Sequence, residues 1–275
     1  MTKKLLKLSL ALTGCLAVVC FCSCGRGSPD VSAKKIQTPA APRQHSENIL
    51  NDWENPKITG ENKEPGHSTL LPYPDVETAL KEAPAASPFY KSLNGKWKFY
   101  WVSKPADRPL NFYKANFDTK DWADIAVPGC WQLQGYDVPI YINAGYPFPK
   151  NPPYIDHSFN PVGSYRTTFT LPAGWKGREV FIHFDGVMSA FYLWINGRKV
   201  GYSEDSMTPA EFNITKYLRS GENILAAQVF RWCDGSYLED QDAWRYSGIY
   251  RDVYLFSAPA LHIRDFFAQS DFDEN

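Results

Sequence analysis

Residues Arg231 to Asp252, RWCDGSYLEDQDAWRYSGIYRD, gather the side chains best suited to chemistry. Acids (Asp234, Glu239, Asp240, Asp242) stand among arginines (Arg231, Arg245, Arg251) and aromatics (Trp232, Tyr237, Trp244, Tyr246, Tyr250). A carboxylate accepts hydrogen bonds from hydroxyls, and a flat aromatic face stacks on the C–H face of a pyranose. The combination therefore suits a sugar. The same residues also suit a solvated loop with an internal ion-pair network, anchored in a core by its aromatics. A second polar stretch, Gly135 to Pro161, carries tyrosines, Asn151 and the prolines 139, 147, 149, 152, 153 and 161. So many prolines exclude a helix or a central strand and leave a second binding loop.

These loops need a scaffold, and the flanking residues describe one. Apolar runs at Asn223–Phe230 and Ile249–Phe256 read as strands, which makes the acid-rich stretch a long connection between them. Long connections are often functional. Gly95 to Trp101 reads as a strand after an Asn94-Gly95 turn, with Trp97, Phe99 and Trp101 on one face. Ser164–Leu171 and Val180–Phe184 are further strands. Ala190–Ile195 and Arg198–Ser203 flank Asn196-Gly197, a strong hairpin signal because both residues tolerate positive φ. Thr215 is a candidate cap for one helical turn ended by Gly221, and Asp75 for a short helix to Glu82. Glu204 and Asp205, just past the hairpin, read as solvated or turn-forming. Many short strands with turns every ten or so residues predict an all-β antiparallel jelly-roll sandwich. Aromatics at 15% and 21 prolines agree with it.

A net charge of −1 offers no electrostatic case for nucleic acid. Lys3, Lys4 and Lys7 precede an apolar run, Leu8–Phe21, that is short for a membrane span. Ser23-Cys24 then resembles a bacterial lipoprotein signal, with Cys24 lipidated and the protein exported and anchored to the cell envelope. An ordinary secretory signal cleaved near Ser23 is the alternative. Outside this segment stand Cys130 and Cys233, expected as two buried free thiols, although one bridge is open to them. The expected organisation is a signal at 1–24, a disordered tether at 25–50, an extended arm at 51–91 and the sandwich at 92–257. Residues 258–275, where His262–Ala268 reads as a strand, would open a further domain.

Several ordered blocks carry a family resemblance. They are Asp52-Trp53-Glu54-Asn55-Pro56, Leu93-Asn94-Gly95-Lys96-Trp97, Trp131-Gln132 with Gly135 to Tyr141, Asn151-Pro152-Pro153, Asn160 to Tyr165, Phe184 to Ser206 and Arg231 to Val253. The chain resembles the N-terminal portion of glycoside hydrolase family 2 β-galactosidases from Asp52 to its last residue. The resemblance implies that the jelly roll is a sugar-binding domain followed by an immunoglobulin-like domain and a catalytic (β/α)₈ barrel. It implies that Asn151 and Asp242 reach into the barrel's active site, that both contact galactose, and that Asp242 can ligate sodium. Trp244 is a candidate stacking platform. The two catalytic glutamates and the magnesium ligands belong to the barrel, which lies outside this sequence. Two other readings stand beside it: a stand-alone carbohydrate-binding lipoprotein, and a jelly-roll hydrolase using Glu239 with Asp242. Those two would share a cleft only in an irregular loop, since a regular strand points them to opposite faces.

Overall fold

The structure, a computed structural model, describes residues 51–81, 83–239 and 242–273. The signal, Cys24 and the tether lie outside these residues. Two antiparallel sheets face each other. The larger has seven strands in the order Gly60–Glu61, Arg198–Ser203, Ala190–Ile195, Glu222–Phe230, Val162–Thr170, Gly95–Val102 and Ala123–Val127. The smaller has four: Ala210–Asn213, Glu179–Phe184, Val253–Ala258 and Tyr90–Ser92. The fold is an all-β jelly-roll sandwich.

Alternation decides what each strand buries. In Gly95–Val102, Trp97 and Phe99 are buried while Lys96 and Tyr100 face water. Trp97 and Phe99 join Trp131, Tyr165, Phe184, Phe191, Leu193, Leu225 and Leu255 in the core between the sheets. Glu222–Phe230 departs from simple alternation, because every residue after Glu222 is buried. Its inner face (Leu225, Ala227, Val229) enters the core. On its outer face Ala226 lies under Phe112 and Trp122, while Phe230 lies under Trp53. A second layer of chain covers this strand, so it reads as nearly continuous apolar sequence.

Part of that layer is the segment at Trp53. The indole is 2% exposed and stacks on Phe230 with ring centroids 5.2 Å apart. The neighbouring Glu54 accepts the Ile155 N–H at 3.1 Å and faces His157 Nε2 at 2.7 Å. Gly60 and Glu61 then extend the sheet edge by pairing with Ser203 and Tyr202.

Asn196-Gly197 turns the expected hairpin with φ of 52° and 82°. Asp75 caps the short helix Val76–Ala79 by accepting the Thr78 N–H at 2.7 Å. Thr215 departs from expectation. It lies inside a 3₁₀ turn, Thr215–Tyr217, and its hydroxyl instead accepts the Val180 N–H at 2.9 Å. The strand expected at His262–Ala268 does not form either. A strand exists only by pairing, and among the described residues nothing pairs with this segment. Its polar groups meet the segment near His67 instead: Asp265 accepts the Ser68 N–H, and Arg264 donates to Glu64 and Glu211. Cys233 is a buried free thiol, and Cys130 is free but only partly buried.

Candidate carbohydrate site

The acid-rich connection is built on a small two-stranded ribbon. Ala243–Arg245 pairs antiparallel with Ile140–Ile142, which lies in the proline-rich loop. The two candidate binding loops are therefore joined strand to strand. Trp244 sits directly across from Tyr141, with ring centroids 5.5 Å apart, and Tyr246 stacks beside Trp244 at 6.0 Å. Trp244 is 52% exposed and Tyr141 56%, so both offer faces to a ligand and neither serves as a core anchor.

Asp242 stands one step before the ribbon and is exposed. The Tyr141 hydroxyl donates to its Oδ1 at 2.5 Å. That bond raises the Tyr141 phenol above its ordinary range and holds the carboxylate on the ribbon face that carries both rings. Asn151 sits elsewhere. It is exposed, its N–H donates to the Tyr237 hydroxyl at 3.0 Å and its carbonyl accepts the Tyr154 N–H at 2.9 Å. Its loop is thus bolted to the turn Asp234–Tyr237, and the structure places Asn151 beside Tyr237 with no contact to Asp242.

One residue that sequence reasoning passed over now stands out. The ladder ends where Ile142 pairs with Ala243, and the exposed Asn143 follows that end directly, as Asp242 precedes it on the other strand. Directly opposed residues share a face of an antiparallel pair. Tyr141 and Trp244 therefore share one side of the ribbon, and the Tyr141 hydroxyl reaches Asp242 from there. Alternation in Ile140-Tyr141-Ile142-Asn143 was the available signal for the first strand. Its pairing with a strand a hundred residues away was not visible.

A partly buried polar cluster joins the acid-rich stretch to the turn after the hairpin. Glu239 accepts from the Ser206 N–H at 2.8 Å and its hydroxyl at 2.7 Å. Glu204 corrects the expectation of a solvated side chain: it is 5% exposed and accepts a hydrogen bond from Tyr202. Burial pushes its carboxyl up to about 8, with Asp234 nearby adding to the rise. Asp205 is the turn former, at φ 87°, accepting from Met207 and Thr208. Among the described residues, Glu204, Cys233 and Asp234 are the group whose ligand atoms lie close enough to share a metal ion, within 4.8 Å of one another. One Asp234 carboxylate oxygen is buried without a hydrogen-bond partner. Glu204 and Asp234 are both mostly buried, and Glu204 edges a cavity of about 350 Å³ shared with Lys63, Asp205 and Glu239.

An exposed carboxylate held beside two exposed aromatic rings can accept hydroxyls and stack on a pyranose. Residues 90–259 match the sugar-binding domain of glycosyl hydrolases family 2. The chain belongs to that family. It is 51% identical over 229 residues to a β-galactosidase of Priestia megaterium, covering 82% of this chain and 22% of that protein. It is 48% identical over 232 residues to a β-galactosidase of Psychromonas ingrahamii, covering 84% of this chain and 22% of the relative. A β-glucuronidase of Bacteroides uniformis superposes with a TM-score of 0.48 at 27% identity, over 62% of this chain and 18% of that one. The family 2 chain thus spans about a fifth of the length of the curated relatives it matches.

Proposed function

We propose that this family 2 domain is the N-terminal, sugar-binding part of a β-galactosidase that hydrolyses terminal non-reducing β-D-galactose. The observation that carries the reading is the exposed ribbon face, where Tyr141 orients Asp242 beside Trp244. In this reading Asp242 accepts sugar hydroxyls, Trp244 and Tyr141 offer ring faces, and Asn143 and Asn151 supply amides from the proline-rich loop. Retaining hydrolysis needs two carboxyls about 5–5.5 Å apart on either side of a bound sugar. Glu204 and Asp234 are close but mostly buried, and in this reading the catalytic pair is supplied by the barrel domain that the family resemblance implies. The ribbon face completes that barrel's pocket.

Sodium fits this arrangement only in part. Asp242 offers one hard anionic oxygen, and a hard cation takes about six oxygen ligands or more, so the others would come from the barrel. Magnesium for the catalytic carboxylates belongs with the barrel too. Cys24 would carry the lipid that anchors the protein to the envelope membrane.

The test compares two proteins on a chromogenic β-galactoside. One is this chain alone. The other is a chimera in which residues 51–275 replace the matching part of the Priestia megaterium enzyme, a relative 51% identical there. The chain alone is expected to show no turnover and the chimera to hydrolyse the substrate. Turnover by the chain alone would place the catalytic carboxylates within it. A folded chimera without activity would count against the shared role.

A further inference from the structure

The ribbon carries the candidate site, yet its two strands are only three residues long each. So short a pair is not stable by itself. Something beneath must hold it in place. Arg231 lies there, at the end of the central strand Glu222–Phe230. Its side chain is 0% exposed and forms an ion pair with Asp137, whose side chain is 4% exposed. The same guanidinium donates to the Val138 carbonyl at 3.2 Å and makes a longer contact, 3.5 Å, with the Arg245 carbonyl. Val138 leads into the first ribbon strand and Arg245 belongs to the second. Ile140 and Arg245 are directly paired, so the guanidinium contacts the second strand and the residues leading into the first, at the base of the ladder.

Asp137 itself is held in an unusual backbone state. Its φ is 62°, in the left-handed region, and its side chain accepts the Val138 N–H at 2.8 Å. Aspartate tolerates this region better than most non-glycine residues, yet at some cost, so its surroundings help to hold it there. The buried arginine supplies that constraint. A buried ion pair contributes little net stability, because desolvation of both charges offsets their attraction. Burial lowers the Arg231 guanidinium to about 10, the mark of that desolvation. An expensive pair joined to a strained residue, both underneath the ligand-bearing ribbon, fits a positioning role better than a stabilising one.

We infer that Arg231 is a positioning residue: through Asp137, Val138 and Arg245 it sets the two ribbon strands against each other and so fixes Tyr141, Asn143, Asp242 and Trp244 relative to a bound sugar. Arginine suits this because its planar fork addresses several acceptors at once. Lysine, a single point charge on a flexible stem, does not. The inference rests on the ribbon being the sugar site.

The experiment is hydrogen–deuterium exchange on the full chain, comparing ribbon peptides (140–142 and 243–245) with core peptides from 162–170 and 222–230. Arg231→Lys keeps the charge and loses the fork. Asp137→Asn keeps the shape, an acceptor oxygen and the tolerance of positive φ while removing the charge, so it is a variant expected to fold. In both, ribbon amides are expected to exchange at least tenfold faster while core amides keep wild-type protection. In the chimera, both variants are expected to raise KM tenfold or more and to lower kcat less than that. Ribbon protection equal to wild type in both folded variants would overturn the inference. So would equal loss of protection across ribbon and core, which marks Arg231 as merely structural. An inactive wild-type chimera would count against the galactosidase reading, and the exchange comparison would then decide the inference by itself.

Discussion

Replacing Trp131 with alanine is expected to destabilise the domain by about 3–5 kcal/mol. The indole is 0% exposed, and its Nε1 donates to the Tyr165 hydroxyl in the middle of the core. Two glycines make room for it. A Cβ on Gly163 would stand 2.5 Å from the indole, and one on Gly248, at φ 115°, would stand 2.9 Å away. Neither glycine can fill the cavity that alanine leaves, so collapse around it is limited. A domain of this size is typically stable by about 5–15 kcal/mol, so the loss is a large fraction of the whole. Trp131 also fixes the exit of the site segment, since its N–H donates to the Ser247 carbonyl at 2.9 Å. Denaturant unfolding of Trp131→Ala beside Trp131→Phe measures the effect. A loss below about 1 kcal/mol in the alanine variant would show that this part of the core repacks freely.

The second large effect is a dependence on pH. Glu204 holds its proton up to about 8 in the folded domain, against an ordinary value of 4.5, mainly because burial disfavours the charged form. The folded state therefore binds more protons than the unfolded chain between those limits. Stability linked to this group is full below 4.5, falls as pH rises through the window and levels off above about 8. At roughly 1.4 kcal/mol for each pH unit, the loss reaches about 4–5 kcal/mol at most. The experiment is chemical unfolding from pH 5 to pH 9 with divalent cations removed by a chelator. Wild type is expected to lose stability steadily across the window, and Glu204→Gln, which keeps the shape without the titrating proton, to lose much less. Parallel profiles for the two proteins would mean that Glu204 is ionised in the fold.

Much of the sandwich was legible because its signals are local. Asn196-Gly197 demands positive φ at adjacent residues, and Trp97 and Phe99 alternate with Lys96, Lys98 and Tyr100. Each pattern needs only its own few residues to be read. The acid-rich stretch was legible as a long connection between two strands, but its residue types by themselves left a sugar site and an ion-paired structural loop both open. What stayed hidden depends on distant pairing. Tyr141 meets Trp244 only because the two strands pair, and Asp242 is oriented by a tyrosine 101 positions away. Glu204 looked like a surface acid beside a hairpin. It is buried because Tyr202, Cys233 and Asp234 close over it, and none of those contacts leaves a periodic trace. Arg231 likewise reads as one arginine among several until Asp137 and the ribbon are placed around it.

The ribbon face is the centre of the account, and Asp242 is its most direct test. The measurement is the kinetics of the galactosidase chimera with and without Asp242→Ala, on a chromogenic β-galactoside and on the matching β-glucuronide. Asp242 is exposed, so the variant is expected to fold with unchanged stability. A carboxylate that binds sugar hydroxyls should cost about 10²-fold or more in kcat/KM when removed, since its loss leaves substrate hydroxyls without their acceptor in a closed pocket. The predicted result is that loss on the galactoside, with little turnover of the glucuronide by either protein. A folded Asp242→Ala chimera that hydrolyses the galactoside as fast as its parent would contradict the assignment of the sugar site to this ribbon.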